Sequence, residues 1–180
     1  MWDDLGHGEE CAREGPIVTT PRKSGSQKEE VANLGLFRPP LIYLAAIVMG
    51  LACQWMWPRP VLSDGTLAPL GIILVVASVL VLGSSVRRFR AAGTPVPARK
   101  PTTAIVRTGP YRFSRNPIYL AFSLLQLGIA VSVNSWWLIA TLAAAVAIIH
   151  WVVVPREERY LEAKFGAAYL DYKASVRRWL

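Results

Sequence analysis

Two cysteines and two histidines are all that this 180-residue sequence offers as thiol or imidazole groups. Cys11 lies in a polar N-terminal stretch and Cys53 inside an apolar run, so no disulfide framework is expected. The segment "HGEEC" at positions 7–11 does not make a metal site, because two candidate soft ligands in a polar tail do not build a coordination shell. Also missing are a GxGxxG fingerprint after a strand, a P-loop, a zinc pattern and a GxSxG elbow, which removes the usual dinucleotide, nucleotide, zinc and serine-hydrolase readings. Charge is absent from four long runs: residues 41–57, 67–86, 117–133 and 135–154 contain no Asp, Glu, Lys or Arg. These runs lack even the polar stripe that a buried helix of a soluble bundle would show.

What is there instead is membrane chemistry. A helix rises ~1.5 Å per residue and the hydrocarbon core is ~30 Å thick, so about 17–25 apolar residues span it. The four runs fit, and the expected fold is an all-α integral membrane protein with four transmembrane helices. Residues 1–36 are different in kind: rich in Gly, Ser, Glu and Lys, with no apolar signal region. They are expected to be a disordered tail or an over-extended start, leaving residues 37–180 as one membrane domain.

The formal net charge of +8 is explained by topology, without nucleic acid. Eight of the twenty Lys and Arg fall in residues 87–115, six in 156–178 and five in 13–38, whereas the segment 58–66 has only Arg59. Basic residues stay on the cytoplasmic side, so both termini and the central loop are expected there. Such a surface also favours anionic lipid headgroups.

Two polar segments then share one face. Residues 117–133 and 135–154 should form a hairpin closed at Asn134-Ser135, bringing Arg115-Asn116 close to residues 155–158. In "RTGPYRFSRNPIYLA", Asn116 is a favoured N-cap and Pro117 suits the first helical position. The free N–H groups of that helix start, with Arg112 and Arg115, suit an anion. Gly109-Pro110 forces a turn that should lay Tyr111 and Phe113 against the same place, where aromatic faces suit a flat heterocycle or a ligand cation. Past residue 155, Leu161, Phe165, Ala168, Tyr172, Val176 and Trp179 recur at spacings of three and four, predicting one amphipathic helix over about 156–179. Arg156 and Arg159 fall on its far side, and Glu157 and Glu158 flank the apolar stripe. Each acid should be paired with Arg112 or Arg115, or contact a ligand hydroxyl or ammonium group. His150 is expected to pack on a tryptophan near the end of the fourth run, and Ala140, Ala143, Ala144, Ala145 and Ala147 to mark close helix packing.

"TGPYRFSRNPIYLA", a helical hairpin and "REERYLEAKFGAAYLDYKASVRRW" together resemble the isoprenylcysteine carboxyl methyltransferase family, which is related to the membrane phospholipid N-methyltransferases. The resemblance runs over about residues 94–179. It implies S-adenosylmethionine bound at the cytoplasmic end of the last two helices, under a cap made by the central loop and the C-terminal helix. It also implies no Rossmann fold, and a lipophilic substrate arriving sideways from the bilayer. By position, the implied cofactor contacts are Thr103, Ala104, Ile105, Val106, Tyr111, Asn116, Pro117, Ile118, Tyr119 and Glu157, with Val96 a weaker match.

Asn116 stands where eukaryotic members carry histidine, Ala121 where glycine is frequent, and Val153 where the family's substrate-holding arginine would lie. The acceptor therefore stays open among an isoprenylcysteine-like carboxylate, a phospholipid amine and a small thiol. A carboxylate needs no base. An amine or thiol must lose a proton, for which Glu158 beside Arg115, or else His150, is placed. The expected catalytic residues are Glu158 and Arg115, with no metal. A sterol-reductase-like enzyme using NADPH and a non-enzymatic membrane scaffold are the alternatives.

Overall fold

The computed structural model describes residues 39–63, 67–91 and 104–180, and the regular elements among them are all helices. The expectations for the tail 1–36, for Val96 and for Thr103 lie outside the described residues. The order is α1 (Pro39–Met56), α2 (Ala68–Ala91), a 3-10 turn (Gly109–Arg112), α3 (Pro117–Ser132), α4 (Trp136–Ile148), a π-helical turn (Ile149–Val153), α5 (Val154–Phe165) and α6 (Ala167–Ser175).

Three helices are long and apolar enough to cross a membrane: α1, α2 and the continuous rod Trp136–Phe165. The expected third span is α3, only 16 residues long. The 30-residue rod is ~45 Å long at ~1.5 Å per residue, more than the ~30 Å hydrocarbon core needs. The excess length leaves room for its last turns, which carry Glu157 and Glu158, beyond such a layer.

Helix α3 is the centre, packed against α2 on one side and α4 on the other, while α1 closes over α4 and α3. In an apolar solvent helices are held by close packing, which needs small residues at the crossings. At the α2–α3 crossing Gly71 faces Gly128 so closely that a Cβ on Gly71 would lie 2.6 Å from the Gly128 carbonyl oxygen and 2.2 Å from Ser132 Oγ. At the α1–α4 crossing Gly50 sits against Leu138 and Thr141. The alanines expected to mark such packing on α4 divide instead: Ala145 is buried, but Ala140, Ala143 and Ala144 are exposed.

The two ends of the bundle are organised differently. At one end, Asn134 adopts a left-handed backbone (φ 54°) to close the α3–α4 turn. Its side chain accepts from the Val61 and Leu62 amides, both at 2.9 Å, and donates to the Leu62 carbonyl at 2.6 Å. Ser135 caps α4 and bonds Gln54 of α1 at 2.8 Å. At the other end, the polar segments of the central loop and the C-terminus pack on each other.

The C-terminal part corrects the sequence reading. One helix over 156–179 is not formed; Gly166, at φ 56°, breaks it into α5 and α6. The glycine caps α5 by donating its amide to the Glu162 carbonyl, a positive-φ position that suits glycine. Phe165, Tyr169 and Tyr172 then bury themselves with Ile105 from the central loop, flanked by Leu161, Ala168 and Val176. Trp179 leaves that stripe. Past α6, residues 176–180 run as a non-helical strap toward the start of α3.

Candidate functional site

The site expected from sequence lies where the start of α3, the end of the long rod and the strap meet. Gly109, at φ 64°, opens the 3-10 turn, and Pro110 takes its second position. The turn drives Tyr111 inward, 5% exposed, with its ring edge-on to Phe89 of α2 at 5.1 Å. Val106 and Ile118 complete that small core, so the end of α2 also forms part of the wall. Phe113 does not join Tyr111. It is 71% exposed, because the same turn sends consecutive aromatic positions to opposite sides.

The Tyr111 hydroxyl is buried without a hydrogen-bond partner. Burial, and then the neighbouring Tyr172 and Glu157, push its ionisation well above the ordinary tyrosine range, so it remains an O–H donor. A buried donor without an acceptor is costly in a finished protein and calls for a partner. Nearby, the Tyr119 hydroxyl donates to Glu157 Oε1 at 2.5 Å, across the hairpin from α3 to α5. Tyr119 is itself steadied from α1: the Tyr43 hydroxyl bonds the Tyr119 carbonyl at 3.3 Å and Ser123 Oγ at 2.8 Å. Tyr43 was not predicted from sequence. Its one signal was a tyrosine inside an uncharged run, and only the packing of α1 gives that meaning.

The neighbouring acid has a different environment. Glu158 is 6% exposed and surrounded by cations: Arg115 at 3.0 Å, Arg178 at 2.8 Å and Lys173 at 3.8 Å. Arg178 takes both carboxylate oxygens, through Nε at 3.1 Å and Nη2 at 2.8 Å. The Arg115 contact is a charge contact and not an aligned hydrogen bond, since Arg115 Nε and Nη1 both lack an acceptor. Of the two arginines expected to meet the acids, Arg115 does so and Arg112 is exposed. Arg178 and Lys173 were missed, because no spacing rule folds α6 and the strap back onto α5.

Asn116 is placed at the start of α3, with Pro117 buried behind it, but its side chain does not cap the helix. Instead Asn116 Nδ2 donates to the Arg178 carbonyl at 3.0 Å, which also accepts from Ser114 Oγ at 3.3 Å. The Arg115 amide donates to the Arg177 carbonyl at 3.0 Å. One backbone and two side-chain hydrogen bonds thus tie residues 114–116 to the carbonyls of 177–178, and the strap roofs the helix start. Trp179 anchors the roof: its indole N–H donates to His150 Nδ1 at 2.9 Å, and the two rings stack 6.1 Å apart. His150 sits in the π-helical turn, a distortion often found near functional sites.

Ala104, Ile105 and Val106 are all buried against this assembly. Arg107 continues it, donating Nη2 to the Ala168 carbonyl and lying over the Tyr172 ring at 5.6 Å. The Tyr172 hydroxyl donates to the Tyr111 carbonyl at 2.8 Å, tying α6 to the 3-10 turn. Val153 is fully buried in an apolar cluster with Tyr43, Tyr119 and Ile149. Among the described residues, no group of three His, Cys, Asp or Glu gathers as a metal site.

The arrangement gathers one uncommitted hydroxyl donor and the Glu157 side chain among apolar groups, beside a cation-rich clamp. It suits a small molecule bearing both an acceptor and a hydroxyl or ammonium group.

Comparison with known proteins adds three findings. The family profile described as phospholipid methyltransferase matches residues 67–168. The chain is 29% identical over 135 residues to CzcN, a cobalt-zinc-cadmium resistance protein of Cupriavidus metallidurans, covering 74% of this chain and 56% of that one. It is 51% identical over 35 residues to an uncharacterized protein of Haemophilus influenzae, 19% of this chain and 56% of that one. The chain thus spans about half the length of these curated relatives. No solved structure matches it.

Proposed function

This chain belongs to the phospholipid methyltransferase family, and from that premise we propose that it is a multi-pass membrane methyltransferase that takes its methyl group from S-adenosylmethionine and acts on a lipophilic acceptor. The observation that carries the reading is the buried, unpartnered Tyr111 hydroxyl beside the Tyr119–Glu157 pair. The residues present fit the cofactor. Tyr111 supplies a donor, Glu157 an acceptor for a ribose hydroxyl or an ammonium group, and residues 104–106 with Pro117 and Ile118 an apolar wall.

When bound, the cofactor supplies an electrophilic sulfonium methyl. The chain's own residues orient and enclose. The aromatic and aliphatic wall keeps water out, so that acceptor and methyl can be held in line in a dry cleft. Glu158 and Arg115, the expected catalytic pair, are read here as the clamp that holds the roof, because the Glu158 side chain is already engaged by Arg115, Arg178 and Lys173. In this reading α3, ~24 Å long, is the fourth span. The site then faces the cytoplasm and the acceptor arrives from the bilayer.

The test is calorimetric titration of the detergent-solubilised chain with S-adenosylhomocysteine, wild type against Glu157→Gln. Binding by the wild type is expected, weakened in the variant by about 1.5–3 kcal/mol, the worth of a hydrogen bond to a charged group, or very roughly ten- to a hundredfold. Melting temperature should barely move. Binding of NADPH in place of S-adenosylhomocysteine would replace this reading with an oxidoreductase. Unchanged affinity in an early-melting Glu157→Gln protein would remove Glu157 from the cofactor.

A further inference from the structure

At the end of the bundle away from the candidate site lies a cleft of about 420 Å³ lined by Trp57, Arg59, Trp136, Trp137 and Ala140. We propose that it is a binding site for one anionic phospholipid, with the phosphodiester on the Arg59 guanidinium and an acyl chain against the tryptophan faces and Ala140.

The cleft is built, not incidental. The Trp137 indole N–H donates to the Trp57 carbonyl at 2.8 Å, so that ring is fixed and its face is left for packing. The Arg59 carbonyl accepts from the Trp136 amide at 3.0 Å, and the Arg59 amide donates to Gln54 Oε1 at 3.3 Å. Both sides of the arginine's peptide backbone are therefore held between α1 and α4. Its guanidinium lies 5.5 Å from the Trp57 ring centre, a cation held over an aromatic face. Trp57 and Trp136 are nonetheless 64% and 54% exposed, so large apolar surface is left uncovered.

Position selects the ligand. The cleft sits at the end of two membrane-crossing helices, where tryptophan rings meet the headgroup layer. It is the depth at which phosphate lies above acyl chain. Arg59 is the only Lys or Arg in residues 39–86, so the positive charge of that stretch sits at the cleft. Ala140 keeps one wall shallow, and the exposed Ala143 and Ala144 leave room below it for a chain. Charge above and apolar surface below match an anionic phospholipid better than a soluble anion or a neutral lipid. The proposal is independent of the methyl-transfer reading.

The test uses the full chain in neutral detergent, titrated with dioleoylphosphatidylglycerol, dioleoylglycerol or glycerol phosphate, and followed by native mass spectrometry. One retained phosphatidylglycerol per chain is expected, with neither dioleoylglycerol nor glycerol phosphate binding comparably. Arg59→Gln should weaken retention roughly fivefold, the factor for about 1 kcal/mol per basic residue near an anionic headgroup. Ala140→Phe should abolish it by filling the cleft. Both positions are exposed, and circular dichroism checks the fold; Ala140→Leu is the second filling variant should Ala140→Phe misfold. Equal retention by wild type, Arg59→Gln and the filled variant would mean a non-specific annulus and overturn the proposal. Equal binding of dioleoylglycerol would overturn the phosphate contact, and equal binding of glycerol phosphate the acyl-chain contact.

Discussion

Replacing Glu158 by Gln tests the division of labour between the two adjacent acids. The substitution keeps shape and removes charge from a carboxylate whose side chain is 8% exposed. Its partners differ in what they lose. Lys173, 37% exposed, keeps Glu162 at 2.5 Å, and Arg178, 31% exposed, can turn toward water. Arg115 cannot: its side chain is 10% exposed, and Glu158 is the acid it meets. Breaking a buried pair from one side costs about 3–5 kcal/mol, because an uncompensated buried charge is left behind. The amide oxygen can still accept one bond from Arg178, so the low end, about 3 kcal/mol, is expected. At roughly 2–4 °C per kcal/mol for a domain of this size, the melting temperature should fall by about 6–12 °C. The assay is thermal unfolding of the solubilised chain beside Glu162→Gln, whose half-exposed pair with Lys173 should cost at most about 1 kcal/mol. Added S-adenosylhomocysteine should still bind the folded Glu158→Gln protein. A Glu158→Gln chain that melts with the wild type yet has lost that binding would refute the clamp and return Glu158 to the ligand.

Two further predictions concern the frame. Gly71→Ala should destabilise by about 1–3 kcal/mol, since its Cβ would meet backbone at 2.6 Å, whereas Gly83→Ala, with nothing within 4 Å, should be neutral in the same melting assay. Cysteines placed at Ser63 and at Ser175 should label from opposite faces of sealed vesicles, Ser175 from the cytoplasmic side; labelling from one face would remove the four-span reading.

The sequence by itself determined the solvent. Uncharged runs of membrane length admit helices as the way to satisfy every backbone group in hydrocarbon, and those runs mark α1, α2, α3 and the long rod. It also determined that the start of α3 and residues 157–158 would meet, because a two-residue turn at Asn134-Ser135 makes a hairpin whose open ends are neighbours. Local chemistry at Gly109, Pro110 and Pro117 was legible for the same reason: their backbone preferences act within a turn. What tertiary structure decided was who pairs with whom. Glu157 and Glu158 are adjacent and alike in sequence, yet one faces Tyr119 and the other three cations, since helical rotation separates neighbours by ~100°. Gly166 turned one expected helix into two and freed the strap, which took Asn116 from its capping role and carried Arg178 and Trp179 to Glu158 and His150. Periodicity could not show this, because a strap has no period and its partners are chosen by contacts made only after the helices have packed.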